Sequence, residues 1–441
     1  MPHPTPPAPP LSATAVCWPE TMPGEDEVNP YKFCKEKTEM STREVVFVDA
    51  VRTAFGRMGG SLKDLYATRM AGIAIDGLLD KTNVHEKAHV DSVFLGSATH
   101  CSVALNPARH AVLSTKLPQS TSASYVEMQC GSAIDAINHA AWKILAGQAD
   151  IVIAGGMESY SQMPFKFPSS TPPHRLMPPM PITQKMSPLE EECIGMGLTA
   201  ENLAEMYDIP RAAADEFAYA SQVRAKEAMD AGFFDEEIIP VKFEATRKTP
   251  AWQFDRDEHP RPQSTLEGMA KLPSVFKKDG TVTAGNASGQ NDGAAFVLMM
   301  DREKALALGY TPMARWLSGA DVGCDPKIMG IGPALAIPVA AKRAGLSVSD
   351  IDVFECNEAF AVQNLAVIKE IETASGQSVD MDKWNPYGGA IAFGHPNGAS
   401  GARICMFAMR HMIRNAGRYG VFSSCCGGGL GVATVIENLQ R

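Results

Sequence analysis

The sequence predicts an α/β fold, and two observations carry that prediction. From Arg43 onward, short apolar runs typical of buried strands alternate with longer segments in which apolar residues recur at helical spacing. This alternation lapses between about Tyr160 and Leu272, where the chain is rich in Pro and Met, and it resumes near Thr283. The pattern predicts two α/β halves, the first of which carries an inserted segment.

The elements of the first half follow one another as strand, helix and strand. Its predicted strands are "EVVFVDAVRT", "VDSVFLGSA", "ASYVEMQC" and "ADIVIAGGMES", and its predicted helices are "DLYATRMAGIAIDGLL" and "INHAAWKILAG". The last predicted strand ends in glycines, which is typical of a strand that leads into a tight loop.

Composition shifts divide the chain into four predicted parts. Residues 1–42 are rich in Pro and lack periodicity, so we expect a disordered tail. Residues 43–160, together with 281–310, form the expected N-terminal half, and 311–441 form the C-terminal half. The segment 161–280 between them is the expected inserted loop domain. Its many methionines favour adaptable packing against loop prolines over a role in lining a substrate site.

Bulk properties exclude several classes of function. The chain has 441 residues and a net charge of −10, without a dense basic run, so a nucleic-acid partner is not expected. No run of 18 apolar residues is present, which predicts no membrane span. The ten cysteines lack a C-x-x-C motif, and we therefore expect reduced thiols and a cytoplasmic location.

The two halves echo each other faintly around two residues with reactive side chains. Cys130 follows an apolar run and precedes a helical pattern, and His395 stands in the same way before "NGASGARICMFAMRHM". Two similar halves would face these helix N-termini toward a shared cleft.

Each candidate also has a structural interpretation. Cys130 is either a buried inert thiol or a nucleophile whose pKa the helix N-terminus lowers. A lone loop histidine such as His395 is more often structural, and Asn357 fits the cap of a following helix. The stretches "CCGGG" and "TAGNASG" read as tight polar turns on composition alone.

Six motifs in order narrow these alternatives. The stretches "CGSAIDA", "VIAGGMES", "TVTAGNASGQNDGAA", "ECNEAFAVQ", "NPYGGAIAFGHPNGASGAR" and "CCGGGLGVA" resemble the successive motifs of the thiolase family. The resemblance covers the chain from Arg43 to its last residue. It implies a five-layered α/β/α/β/α fold of two similar halves with an inserted loop domain. It also implies assembly as a homodimer or homotetramer.

The resemblance assigns roles to five residues of a catalytic centre. Cys130 resembles the cysteine that carries the acyl group, and His395 resembles the histidine that takes its proton. Asn357 matches the residue that anchors a water in one oxyanion hole. Cys425 matches the acid/base that handles the α-proton, and the N–H groups of Gly427 and Cys130 would form the second oxyanion hole.

Coenzyme A is implied as a substrate, with no cofactor and no metal. "TAGNASG" is similar to the family's loop along the pantetheine, which makes Ala287, Ser288 and Gly289 candidate binding residues. Arg247 and its neighbour Lys248 are candidate partners of the nucleotide phosphates.

The expected activity is reversible CoA-dependent cleavage of 3-ketoacyl-CoA and condensation of two acetyl-CoA through an acyl-cysteine. Acetyl-CoA acetyltransferase is the first expectation, and a broad-chain degradative 3-ketoacyl-CoA thiolase of β-oxidation is the alternative. Phe165, where biosynthetic members often carry histidine, leaves acyl-chain length and direction open. A ketosynthase would lack Cys425, and a non-catalytic CoA-binding scaffold would be expected to have lost one of the four site residues.

Overall fold

The computed structural model describes residues 43–168, 180–247 and 249–441. The predicted tail 1–42 and the candidate Lys248 lie outside the described residues.

The first half contains five strands and four helices. The strands are β1 (Val45–Thr53), β2 (Gly56–Arg57), β3 (Ser92–Gly96), β4 (Ser122–Val126) and β5 (Ile151–Ser159), and the helices are α1 (Ala67–Thr82), α2 (Val84–Lys87), α3 (Pro107–Val112) and α4 (Ser132–Leu145). The predicted order of strands and helices is therefore observed, although "ASYVEMQC" leaves the strand at Val126 and turns before its cysteine.

The segment that follows β5 combines three helices and three short strands with long irregular stretches before β9 begins. It contains α5 (Met196–Met206), α6 (Arg211–Asp230), β6 (Ile238–Ile239), β7 (Val241–Phe243), β8 (Trp252–Phe254) and α7 (Leu266–Ala270). The chain then returns to the first half through β9 (Asn291–Asp301) and α8 (Arg302–Ala307). All residues of β9 are buried, as expected for a strand that is covered on both faces.

The second half repeats the same types of element. It contains β10 (Ala314–Gly323), α9 (Gly332–Arg343), β11 (Val353–Cys356), α10 (Ala361–Ser375), α11 (Ala390–Phe393), α12 (Asn397–Asn415), β12 (Tyr419–Cys426) and β13 (Leu430–Asn438). Short 3-10 turns lie at Gln129–Gly131, Glu190–Glu192, Pro326–Ile331 and Val348–Asp350.

The strand order shows that the two halves are built alike. The main path through the eleven-stranded sheet runs β11-β12-β13-β10-β1-β9-β5-β3-β4. Without the two-residue β2, the strands of the first half are β1, β3, β4, β5 and β9 in chain order. From the outer edge of the sheet inward they lie as β4, β3, β5, β9 and β1, which is third, second, fourth, fifth and first. In the second half, the segment at Trp384 takes the place of the third strand, because it forms a parallel bridge with Phe354 of β11. From the outer edge inward the order is then Trp384, β11, β12, β13 and β10, which is again third, second, fourth, fifth and first. A short antiparallel pairing of β1 with β10 joins the halves.

Helices α4 and α12 form a layer between the two half-sheets. Ile137 of α4 and Phe407 of α12 share one buried cluster with Val297 of β9 and Phe422 of β12. The opposite sheet faces pack on outer helices, α1 on the first half and α9 with α10 on the second, because side chains alternate along a strand. This arrangement confirms the predicted α/β/α/β/α layering.

A search of the described residues finds no helix of the length and apolar character needed to cross a membrane.

Candidate active site

Cys130 lies in the 3-10 turn that connects β4 to α4. Gln129, directly before it, has a left-handed backbone with φ of 48°. Such a conformation costs a non-glycine residue roughly 1–2 kcal/mol. Ser132 holds the turn, because its Oγ accepts from Met128 N–H at 3.0 Å and donates to the Gln129 carbonyl at 2.6 Å. The turn therefore buries Cys130 at the start of the central layer.

The protonation state of Cys130 differs from the expectation. Burial raises the pKa of the Cys130 thiol to about 12, and the Glu158 carboxylate adds to this effect. The backbone N–H groups of Cys130 and Gly427 act in the opposite direction on the same pKa. The prediction of a lowered thiol pKa was therefore wrong, because removal from water outweighs the helix N-terminus. The substrate-free site holds a neutral thiol.

His395 is buried and held by polar contacts on both ring nitrogens. Asn357 Nδ2 lies 3.3 Å from His395 Nε2, and Ser400 Oγ lies 2.6 Å from Nδ1. Because the Ser400 hydroxyl donates to the Pro396 carbonyl at 3.2 Å, we assign the ring hydrogen to Nδ1. Nε2 then keeps a lone pair that can accept a proton.

The charge state of His395 also leaves Nε2 without a proton. Burial, followed by the positive charge of Arg403, lowers the pKa of His395 to about 3. The imidazole is therefore neutral at physiological pH, and the burial that keeps it neutral also makes Nε2 a weaker base than a free imidazole.

This lowered pKa predicts how His395 contributes to stability. An unfolded histidine titrates near pH 6.5, so the unfolded chain takes up the proton first as the pH falls. The contribution of His395 to the free energy of unfolding is complete above about pH 6.5 and is lost toward pH 3, at up to about 1.4 kcal/mol per pH unit. We expect His395→Asn to remove about 3 kcal/mol of the stability change between pH 6.5 and pH 4 in urea titrations. The exposed His110→Asn variant should follow the wild type, and equal curves for all three proteins would contradict the prediction.

Gly394 shapes the chain that presents His395. Its φ is 86°, and a Cβ at this position would collide with the side-chain amide of Asn291. That amide must stay in place, because Asn291 Oδ1 accepts from His395 N–H at 3.2 Å. Both the backbone conformation and the neighbouring group therefore require glycine.

Gly394→Ala is expected to destabilise the protein by about 3 kcal/mol or more, from backbone strain and overpacking together. Gly345 is a matched control, since its φ is 74° and an added Cβ there meets no neighbouring atom. Gly345→Ala should therefore cost only about 1 kcal/mol. Unfolding in urea measures both values, and equal losses would show that the contact with Asn291 has no effect.

The second half brings two further cysteines to Cys130. Cys425 and Cys426 end β12, and the nearby Cys130 raises the pKa of both through electrostatic interaction. Burial raises the pKa of Cys425 well above its usual value, with the neighbouring Cys130 adding to the shift. Since Gly427 N–H also acts on the Cys130 sulfur, the two amides predicted for one oxyanion hole converge on the same atom.

Asn357 and Glu358 hold the other side of the site. Asn357 Oδ1 is buried and has no hydrogen-bond partner within the described part of the chain. Such a group requires a partner, and a water molecule fits the predicted role. Glu358 accepts hydrogen bonds from Ser221, Asn385 and the Ile391 N–H at 2.7, 3.0 and 3.2 Å. It thereby ties the loop of Asn357 to three other segments.

The candidate CoA loop reaches this site, whereas Arg247 does not. Ser288 N–H donates to the Ala359 carbonyl at 3.0 Å, and Ala287 pairs with Phe360. The Gly289 carbonyl accepts from His395 N–H at 3.1 Å. Arg247 is exposed in the connection between β7 and β8, and no contact joins it to these residues among those described.

Three residues at the site escaped the sequence analysis. Asn397 Nδ2 donates to Cys130 Sγ at 3.3 Å, and Tyr160 Oη donates to Asn397 Oδ1 at 3.0 Å. Met186 covers the glycines, because a Cβ on Gly427 would lie 3.1 Å from its Sδ. Asn397 lies within the motif "NPYGGAIAFGHPNGASGAR" and Tyr160 directly follows "VIAGGMES", but the sequence analysis gave neither residue a role. Met186 belongs to the Met-rich segment whose methionines had been interpreted as packing residues.

Family comparisons agree with this geometry. Residues 45–303 match the model of the thiolase N-terminal domain, and residues 310–438 match that of the thiolase C-terminal domain. The acetyl-CoA acetyltransferase of Syntrophomonas wolfei is 41% identical over 403 residues, which cover 90% of this chain and 100% of that protein.

Solved structures give the same result. The Bacillus anthracis acetyl-CoA acetyltransferase superposes with a TM-score of 0.84 at 38% identity, covering 90% of this chain and 100% of the other. Human mitochondrial 3-ketoacyl-CoA thiolase in complex with CoA gives a TM-score of 0.82 at 40% identity, covering 90% and 98% of the two chains. With both domain models matched and a relative 41% identical over 90% of this chain, the chain belongs to the thiolase family.

Proposed function

We propose that this protein is an acyltransferase that cleaves 3-ketoacyl-CoA with CoA and, in reverse, condenses two acetyl-CoA. The observation that carries this proposal is the meeting of both halves at one sulfur. Cys130 of the first half accepts a hydrogen bond from Asn397 Nδ2 and is acted on by Gly427 N–H, and it raises the pKa of Cys425 and Cys426, all from the second half. A carbon–carbon bond next to a thioester requires a nucleophile, an acid/base and oxyanion donors, and these groups supply all three.

In the first step of condensation, Cys130 attacks the thioester carbon of acetyl-CoA. The thiol proton passes to His395 Nε2 as the new S–C bond forms, because the thiol is neutral at rest. The bond between the acetyl carbon and the CoA sulfur then breaks, and the proton leaves on the CoA thiol. Acetyl-Cys130 remains, and the N–H groups at the site stabilise the transient oxyanion.

In the second step, Cys425 acts in its thiolate form, after its own proton has passed to solvent, and takes the α-proton of another acetyl-CoA. The carbanion attacks the carbonyl carbon of acetyl-Cys130, the S–C bond breaks, and acetoacetyl-CoA leaves. Cys130 departs as a thiolate and takes up the proton that Cys425 had removed, which returns Cys425 to its thiolate form. Cleavage of a 3-ketoacyl-CoA follows the same path in reverse, with Cys425 returning the proton to the α-carbon.

For substrate binding, we place the pantetheine arm along Ala287, Ser288 and Gly289. This placement is supported by the hydrogen bond from His395 N–H to the Gly289 carbonyl, which puts the loop beside the catalytic groups. No metal or cofactor other than the CoA substrate is proposed. The cytoplasmic location stays a prediction.

We propose the four-carbon reaction of an acetyl-CoA acetyltransferase as the main activity. Relatives of similar identity carry either this name or that of a 3-ketoacyl-CoA thiolase, so the broad-chain degradative enzyme is the second candidate. The retention of Cys130, His395, Asn357 and Cys425 favours both over a non-catalytic CoA-binding scaffold.

We further propose a homodimer or homotetramer with a second copy on the side of β4. This strand ends the sheet, and the nearby loop exposes Val103 and Leu105 almost fully. An unpaired sheet edge beside exposed apolar side chains favours association. Light scattering on the purified chain gives the mass, and a monomer at micromolar concentration would contradict this assembly.

The test of function is the rate of CoA-dependent cleavage of acetoacetyl-CoA and of 3-ketoacyl-CoA substrates with longer chains. Cleavage restricted to the four-carbon substrate supports the acetyl-CoA acetyltransferase. Equal or faster cleavage of long chains supports the degradative thiolase instead. If no substrate is cleaved, the non-catalytic CoA-binding scaffold is the remaining interpretation.

A further inference from the structure

A chain of two hydrogen bonds ends on the nucleophilic sulfur. Asn397, the first residue of α12, donates from Nδ2 to Cys130 Sγ at 3.3 Å. Tyr160, which directly follows β5, donates from Oη to Asn397 Oδ1 at 3.0 Å. We call these three residues the sulfur relay. The reaction steps proposed above assign no action to Asn397 or Tyr160.

The second hydrogen bond decides which end of the Asn397 amide faces the sulfur. A side-chain amide can present either its NH₂ group or its oxygen. Burial, and then the charges of Glu158 and Cys130, raise the pKa of Tyr160 well above its usual value, so its hydroxyl stays protonated. That hydroxyl engages Asn397 Oδ1, which directs Nδ2 toward Cys130.

We propose that the sulfur relay stabilises Cys130 whenever its sulfur carries negative charge, with Asn397 as the contacting donor and Tyr160 as the residue that positions it. The proposal rests on the proposed function, in which Cys130 is the nucleophile. A charged sulfur accepts a hydrogen bond strongly, whereas the sulfur of an acylated cysteine carries no such charge. The relay therefore assists both the attack of Cys130 and its departure as a thiolate.

The surroundings of Cys130 make such a donor important. Burial and the carboxylates of Glu158 and Glu127 oppose a charge on the sulfur. Cys130 in turn raises the pKa values of Tyr160, Cys425 and Cys426, and His395 lies two residues before Asn397. Among these groups none is a cation, so neutral donors must supply the stabilisation.

The test is the rate at which iodoacetamide alkylates Cys130 between pH 7 and pH 10, followed by mass spectrometry of the Cys130 peptide. Asn397→Leu should slow alkylation about tenfold at each pH, since loss of a hydrogen bond to the charged form raises the thiol pKa. Tyr160→Phe keeps the ring, so access to the sulfur is preserved, and we expect a reduction of about threefold.

The double variant distinguishes a relay from two independent effects. If Tyr160 acts only through Asn397, Tyr160→Phe should have no further effect in the Asn397→Leu background. Tyr207→Phe is the matched control, because its hydroxyl donates to Glu370 at 2.8 Å and takes no part in the relay. If the reductions in alkylation rate multiply in the double variant, or if Tyr160→Phe alone leaves the rate unchanged, the positioning role of Tyr160 is overturned.

Alkylation needs no substrate, so the relay and the proposed function fail in different ways. If Cys130 of the wild-type protein is alkylated at the same rate at every pH, its role as an ionising nucleophile is contradicted. If wild-type Cys130 reacts faster at higher pH and the variants react at the wild-type rate, the relay is contradicted and the proposed function is not. If Asn397→Leu fails to fold, the isosteric Tyr160→Phe variant still decides the question.

Discussion

Cys130→Ser is expected to lower the rate of CoA-dependent cleavage by about 10⁴-fold or more. The thiol of Cys130 is buried, and in the proposed mechanism its proton passes to His395 as the sulfur attacks. A serine hydroxyl releases its proton far less readily than a thiol, while the neutral His395 is no stronger a base in the variant. The loss should therefore fall on turnover rather than on substrate binding.

Steady-state kinetics with acetoacetyl-CoA, and trapping of the acyl-enzyme by mass spectrometry, measure this effect. Cys193→Ser is the matched control, because Cys193 is partly exposed and donates to the Ser187 carbonyl at 3.1 Å without belonging to the site. We expect full activity in the control. More than about one hundredth of wild-type turnover in Cys130→Ser would mean that another group carries the acyl chain.

Cys425→Ala is expected to separate the two steps of the reaction. Removal of a general acid/base typically costs about 10²- to 10⁴-fold, and we expect a loss of about 10³-fold in condensation. Exchange of labelled CoA into acetyl-CoA should continue, because it requires acetyl-Cys130 but no removal of an α-proton. A variant that loses exchange and condensation equally would place Cys425 in the acylation step instead.

Cys426→Ala provides the control from the adjacent position. Neighbouring residues of a strand point to opposite faces, and Cys426 packs in the central cluster whereas Cys425 packs in the outer cluster of the second half. Cys426 Sγ also donates to the Ser424 carbonyl at 3.7 Å. We expect Cys426→Ala to keep condensation within about threefold of the wild type. A larger loss in this variant than in Cys425→Ala would reverse the assignment.

Much of the fold was predictable because it depends on local patterns. The alternation of strands and helices places Cys130 and His395 each two residues before a helix, and those helices are the neighbours α4 and α12. The repeat was visible only as a faint echo in sequence, yet both halves have the same strand order. The pairing of β1 with β10 left no local signal, since it depends on residues far apart in the chain.

The residues that the structure brings together at the candidate site were predictable from motifs, but the electrostatics of the site were not. Motifs identified Cys130, His395, Asn357 and Cys425, whereas the raised pKa of Cys130 results from burial by segments of both halves. Asn397 contacts the sulfur only because α12 packs beside the 3-10 turn of Cys130. Such effects depend on tertiary contacts, and the pattern of one segment does not contain them.

The joining of the two halves at α4 and α12 has a consequence for folding. Helix α12 ends at Asn415, so its contact with α4 brings together parts of the chain separated by more than half its length. Contacts between such distant segments form late, because closing a long loop costs chain entropy before any contact compensates for it. A chain emerging from the ribosome therefore buries and orients Cys130 only after the last helix has docked. Acyl transfer is a property of the completed chain, and no truncated translation product should have it.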